Sequence, residues 1–113
     1  MTGVQTCALP ISDDWEREEA NRIQAFFAER GLTPPYLKYR IDGMPLGEEA
    51  FHPVGLLAMN AMASLAADGP HVKAFIDAFW QAPLCTGRRC YYDNCLYLFS
   101  LLALSGRYRI WKP

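Results

Sequence analysis

The apolar positions of this chain fall into four runs of helical period, separated by segments rich in proline, glycine and polar residues. The first covers about residues 14–30. Trp15, Ile23, Phe26 and Phe27 share one face there, and Arg17, Glu18, Asn21 and Gln24 lie largely outside it. Asp13 or Asp14 can cap its start, and Gly31 suits a left-handed stop. The second run, about residues 53–67, is different in kind. Val54, Leu56, Leu57, Met59, Ala61, Met62, Leu65 and Ala66 surround it, which marks a buried helix. Pro70 opens the third, which runs to about residue 81 with a stripe of Val72, Phe75, Ile76, Phe79 and Trp80. The fourth, about residues 92–104, carries Cys95, Leu96, Leu98, Phe99, Leu101, Leu102 and Leu104, and Gly106 stops it.

Amphipathic and enclosed helices therefore alternate, as they would in two concentric rings with half-wet outer helices. The expected fold class is all-α, part of a two-ring helical barrel. Four helices cannot bury two enclosed ones on every side, so further cover is expected from residues upstream or from another chain. A helical-repeat interaction module also fits the alternation. Against it, the second pair of helices does not repeat the first in length or residues, and residues 32–52 are unlike a tight repeat turn. That stretch, rich in proline, glycine and tyrosine, is expected to be a long irregular loop of the kind that often carries function.

Composition narrows the partners. A chain of 113 residues holds one small domain, and its net charge of -1 makes no electrostatic case for nucleic acid or an anionic membrane. The longest apolar stretch, residues 54–67, falls short of the ~20 residues a bilayer needs. Residues 1–12 have no helical or strand period, and from Thr2 to Ile11 they read as the translation of a sequencing adapter. They are expected to be a non-native leader, with residues 13–113 the native part. Cys85, Cys90 and Cys95 then remain, an odd number that fits no familiar zinc pattern with His52 and His71. They are expected to be free thiols in a reducing compartment, which favours the cytoplasm. No metal or cofactor is assigned.

From Tyr91 the chain reads Tyr-Tyr-Asp-Asn-Cys-Leu-Tyr-Leu-Phe-Ser-Leu-Leu-Ala-Leu-Ser-Gly-Arg-Tyr-Arg-Ile-Trp, and this resembles the C-terminal end of glycoside hydrolase family 8. Three supporting blocks precede it in that family's order: residues 19–27, residues 52–61, and Phe79-Trp80 followed by Pro83 and Thr86-Gly87. The resemblance implies an (α/α)6 barrel and an inverting glycosidase, cut to its C-terminal portion. Cys90 departs from the pattern, since relatives tend to carry Arg there. Within the family, residues 42–61 are most similar to the reducing-end xylose-releasing exo-oligoxylanases. Those carry an apolar residue, His and Pro closing one side of the cleft, which Phe51-His52-Pro53 matches. The resemblance thus implies a xylo-oligosaccharide partner, contacted by His52, and release of single xylose units. An endo-acting β-1,4-glucanase or xylanase of the same family is the alternative.

An inverting glycosidase needs an acid and a base roughly 6.5–9.5 Å apart. The resemblance places both upstream of Trp15, so no catalytic residue is expected here and the chain by itself is expected to be inactive. Asp68, Asp77 and Asp93 read as helix-end or surface residues; Asp42, Glu48 and Glu49 fall in the long loop. Tyr91 and Tyr92 could stack on a sugar or pack at the start of a buried helix. His52, Tyr91 and Tyr92 are the candidate substrate-binding residues.

Overall fold

A computed structural model describes residues 13–107; the leader and residues 108–111 of the terminal motif lie outside the described residues. The elements are α1 (Asp14–Glu29), β1 (Leu37–Tyr39), β2 (Pro45–Glu49), α2 (Pro53–Ala63), α3 (Val72–Gln81) and α4 (Cys90–Leu104). All four expected helices form, α2 ending four residues early and α4 beginning two residues early. No helix among the described residues is long and apolar enough to cross a membrane.

Asp13 caps α1, its carboxylate accepting the Trp15 N–H at 2.9 Å. The chain leaves the helix through Gly31, whose φ of +113° strains any residue with a Cβ. The buried line of α1 is not the expected stripe. Trp15 and Ile23 remain 68% and 49% exposed, whereas Gln24 is buried. The reason is hydrogen bonding. Gln24 donates to the Asn60 carbonyl at 2.9 Å and to the Ser64 hydroxyl at 2.8 Å, satisfying the carbonyl-rich end of α2. Asn21 accepts the Asp68 and Gly69 N–H groups and donates to the Asp68 carboxylate, pinning the turn after α2 to α1.

Residues 32–52 are not a structureless loop. They contain an antiparallel hairpin in which Leu37 faces Glu49 and Tyr39 faces Pro45. Its turn is closed by Asp42, which accepts the Met44 N–H, and by Gly43 at φ +84°. Strands of three and five residues holding Lys, Pro, Gly and Glu carry little strand signal, and tertiary support substitutes for it. Phe26 of α1 meets Tyr39 edge-on at 5.0 Å, and the Arg30 guanidinium lies 3.7 Å over Phe26.

α2 is the hub, packing against α1, α3 and α4. One core cluster gathers Tyr36, Leu57 and Phe75; the other gathers Ala58, Ala61 and Phe79, with Tyr97 stacked on Phe79 at 4.5 Å. The contact with α4 is close because α2 offers small residues there. A Cβ added at Gly55 would lie 2.8 Å from both Asp93 and Leu96. α4 is not covered all round among the described residues: Leu98 and Phe99 are each 51% exposed, so the expected full enclosure is not met within them.

Tyr36 is fully buried, edge-on to Phe27, and its hydroxyl donates to the Leu32 carbonyl at 2.7 Å. Burial disfavours the phenolate and pushes this pKa up to about 12. The folded value lies above the unfolded one, so the neutral phenol's contribution is complete below about pH 10 and is lost as pH rises toward about 12. Denaturation midpoints measured across that range should fall more steeply for the wild type than for Tyr36→Phe. Parallel curves would mean that Tyr36 ionises like an exposed tyrosine.

Candidate functional site

The N-terminal ends of α2 and α4 meet at one surface. His52 occupies the N-cap of α2 and Pro53 the first turn, but the imidazole makes no capping hydrogen bond. The cap comes from the other helix. Asp93, in the first turn of α4, accepts the Gly55 N–H at 2.7 Å. This satisfies a donor that α2 cannot pair internally and sets a negative charge at its positive dipole end. Asp93 thus occupies the first turn of the last helix, as its position implied, but as an interior residue only 1% exposed and not a surface one.

The second oxygen of Asp93 faces His52. Nδ1 of His52 is buried, lies 3.7 Å from Asp93 Oδ2 and has no hydrogen-bond partner. The Tyr92 ring stands against the imidazole at 4.7 Å between centroids. Tyr91 and Tyr92 are 85% and 54% exposed, so neither packs in the core. With Phe51 and Arg89, these three candidates line a shallow depression of about 560 Å³. The structure thus brings His52, Tyr91 and Tyr92 together on one surface.

Its rim is cationic and aromatic. Arg89 adopts the left-handed region at φ +68°, directly before α4. The exposed Phe51 ring lies 3.8 Å from Lys38 Nζ and 5.7 Å from the Arg89 guanidinium. Lys38 also donates to Glu48 at 2.7 Å across the hairpin, and this hydrogen bond and charge hold the Glu48 carboxyl below its ordinary range. A wider hollow of about 740 Å³ joins the depression to the hairpin. Neither concavity is lined by a carboxylate. Of the other acids, Asp42 and Glu49 sit exposed on the hairpin, Asp68 bonds Asn21, and Asp77 pairs with Lys73.

Sequence reasoning missed Asp93, Arg89 and Lys38. The one available signal for Asp93 was Gly55, a small residue in the first turn of a helix otherwise bulky there. The cysteine expectation also changes. Cys85 and Cys90 are joined in a disulfide, with Cys95 free, so free thiols no longer argue for a reducing compartment. Asn94 supports this loop, accepting the Cys85 N–H and donating to its carbonyl, both at 3.1 Å. Among the described residues, no three His, Cys, Asp or Glu side chains cluster to hold a metal ion.

The chain as a whole is similar to curated and crystallised xylose-releasing exo-oligoxylanases. The chain is 57% identical over 101 residues to the reducing-end xylose-releasing exo-oligoxylanase of Halalkalibacterium halodurans, covering 88% of this chain and 26% of that enzyme. It is 57% identical over 99 residues to the exo-oligoxylanase Rex8A of Paenibacillus barcinonensis, with the same coverage of each. A crystallised mutant of Rex8A, complexed with an arabinofuranosyl-xylotetraose, superposes with a TM-score of 0.83 at 56% identity over 88% of this chain and 26% of its own. No family model matches the chain. Both curated relatives are named as exo-acting oligoxylanases. The chain corresponds to the C-terminal quarter of the reducing-end xylose-releasing exo-oligoxylanases, spanning about a quarter of their length.

Replacing Asp93 by Ala leaves the Gly55 N–H without its charged acceptor and opens a void between α2 and α4. A hydrogen bond to a charged group contributes ~1.5–3 kcal/mol, so denaturant unfolding should show a loss of that order. His52→Ala, which removes no hydrogen bond, should cost clearly less. Equal losses would show that Asp93 does not clamp the helices.

Proposed function

We propose that the chain is the C-terminal part of an inverting glycosidase of family 8 with an (α/α)6 barrel, releasing xylose from the reducing end of β-1,4-xylo-oligosaccharides. The observation that carries this reading is the surface where α2 and α4 meet: His52, Tyr91 and Tyr92 around one depression, in a chain 57% identical to enzymes of that name. Exposed aromatic faces suit the apolar faces of pyranose rings, and an imidazole and a guanidinium offer partners to hydroxyls. In this reading Phe51, His52 and the hairpin wall one end of the cleft, so that a single xylose fits beyond the scissile bond. The endo-acting and repeat-module readings draw no support from the relatives.

The chain alone is proposed to be inactive. General acid and base each contribute roughly 10²–10⁴-fold, and an inverting glycosidase uses a pair of carboxyl groups for them; the depression offers no such pair, because its lining holds no carboxylate and both oxygens of Asp93 are directed at Gly55 and His52. The purified chain should show no hydrolysis of xylo- or cello-oligosaccharides above buffer. Turnover abolished by mutating a carboxylate within it would overturn this.

In the longer enzyme, His52→Ala should weaken release of xylose from reducing-end-labelled xylohexaose. Losing one neutral hydrogen bond costs ~0.5–1.5 kcal/mol, a several-fold drop in kcat/KM and not abolition. Shortening the hairpin should open the cleft and let longer labelled products appear. Internal cleavage by the wild type, unchanged by the deletion, would replace the exo reading with the endo-acting one.

A further inference from the structure

The exposed edge of His52 can act on a ligand in two opposite ways, as donor or as acceptor, and the buried edge decides which. A neutral imidazole carries one proton, on Nδ1 or on Nε2, and the partner of one nitrogen fixes the role of the other. Nδ1 is buried without any hydrogen-bond partner, and the carboxylate oxygen Oδ2 of Asp93 stands 3.7 Å from it. A bare Nδ1 lone pair directed at a carboxylate in the interior would be repelled with little screening; an N–H there is attracted.

Asp93 is not free to turn away. Its other oxygen is bound to the Gly55 N–H at 2.7 Å, and Gly55 leaves no gap into which the carboxylate could shift. The imidazole is also confined, by the Tyr92 ring at 4.7 Å on one side and by the start of α2, of which His52 is the N-cap residue. We propose that Asp93 is a positioning residue that holds His52 in the Nδ1–H form, so that Nε2 presents a lone pair to the depression. The site would then accept a hydrogen bond from its ligand at this point. This rests on the carbohydrate reading given above: the group recognised is a hydroxyl donating its proton, which every sugar supplies.

Asp93→Asn inverts the arrangement in a readable way. The Gly55 N–H retains the amide oxygen as acceptor, so the amide nitrogen takes the place of Oδ2 and directs a donor at Nδ1. The proton must then move to Nε2, and the lone pair in the depression is lost.

The test is the pair of imidazole nitrogen chemical shifts of His52, which report the tautomer directly. Its signals are distinguished from those of His71, the other histidine, by comparison with His52→Gln. The wild-type chain should show the Nδ1–H form and Asp93→Asn the Nε2–H form, while Asp93→Glu, which keeps a carboxylate, should retain Nδ1–H. A merely structural role for Asp93 would leave the tautomer unchanged. An Nε2–H wild type, or an Asp93→Asn variant that keeps Nδ1–H, overturns the proposal. In the longer enzyme, Asp93→Asn should raise KM for xylo-oligosaccharides several-fold with a smaller change in kcat. An inverted tautomer with unchanged KM would leave the positioning role intact and refute the carbohydrate reading of His52.

Discussion

The close approach of α2 and α4 at Gly55 and Asp93 governs the geometry of everything above it. Burying a carboxylate costs several kcal/mol unless its oxygens are paired. Here the Gly55 N–H and the positive end of α2 supply the pairing, at a point where a single methyl group would collide with the carboxylate. His52 lies three residues before Gly55, and Tyr92 is adjacent to Asp93. The clamp that joins the two helix ends therefore also fixes the spacing of the side chains they present. A surface built on helix ends clamped in this way is held to a narrower geometry than one built on a free loop.

The hairpin forms the other wall, and its support comes from a chain of aromatic and cationic contacts. Phe26 of α1 and Arg30, the residue that follows that helix, hold Tyr39; Lys38 on the same strand reaches Phe51; Arg89 approaches Phe51 from the α4 side. Each contact contributes modestly, on the order of 0.5–1.5 kcal/mol. Together they connect both ends of the depression to the helical core. The outcome is a mixed aromatic and cationic surface whose lining holds no carboxylate.

What the sequence determined by itself is the helical skeleton and its kinship. The period of the apolar residues located four helices, with Asp13 and Gly31 at the ends of the first, because caps and amphipathic stripes are local properties. The order of short motifs from residue 19 onward pointed to the same enzymes that the alignment gives. It also picked out His52, Tyr91 and Tyr92, which the fold assembles on one surface. The tertiary structure alone decided the rest. Gln24 and Asn21 look like wet-face residues until the end of α2 supplies carbonyls and N–H groups for them to bind. Residues 37–49 look irregular until Phe26 and Arg30 give the hairpin something to rest on. Asp93 reads as an exposed acid at a helix start, and only the arrival of Gly55, 38 residues away, makes it an interior clamp beside His52. Periodicity records which side chains avoid water; which polar groups will find each other in its absence is a property of the packed chain.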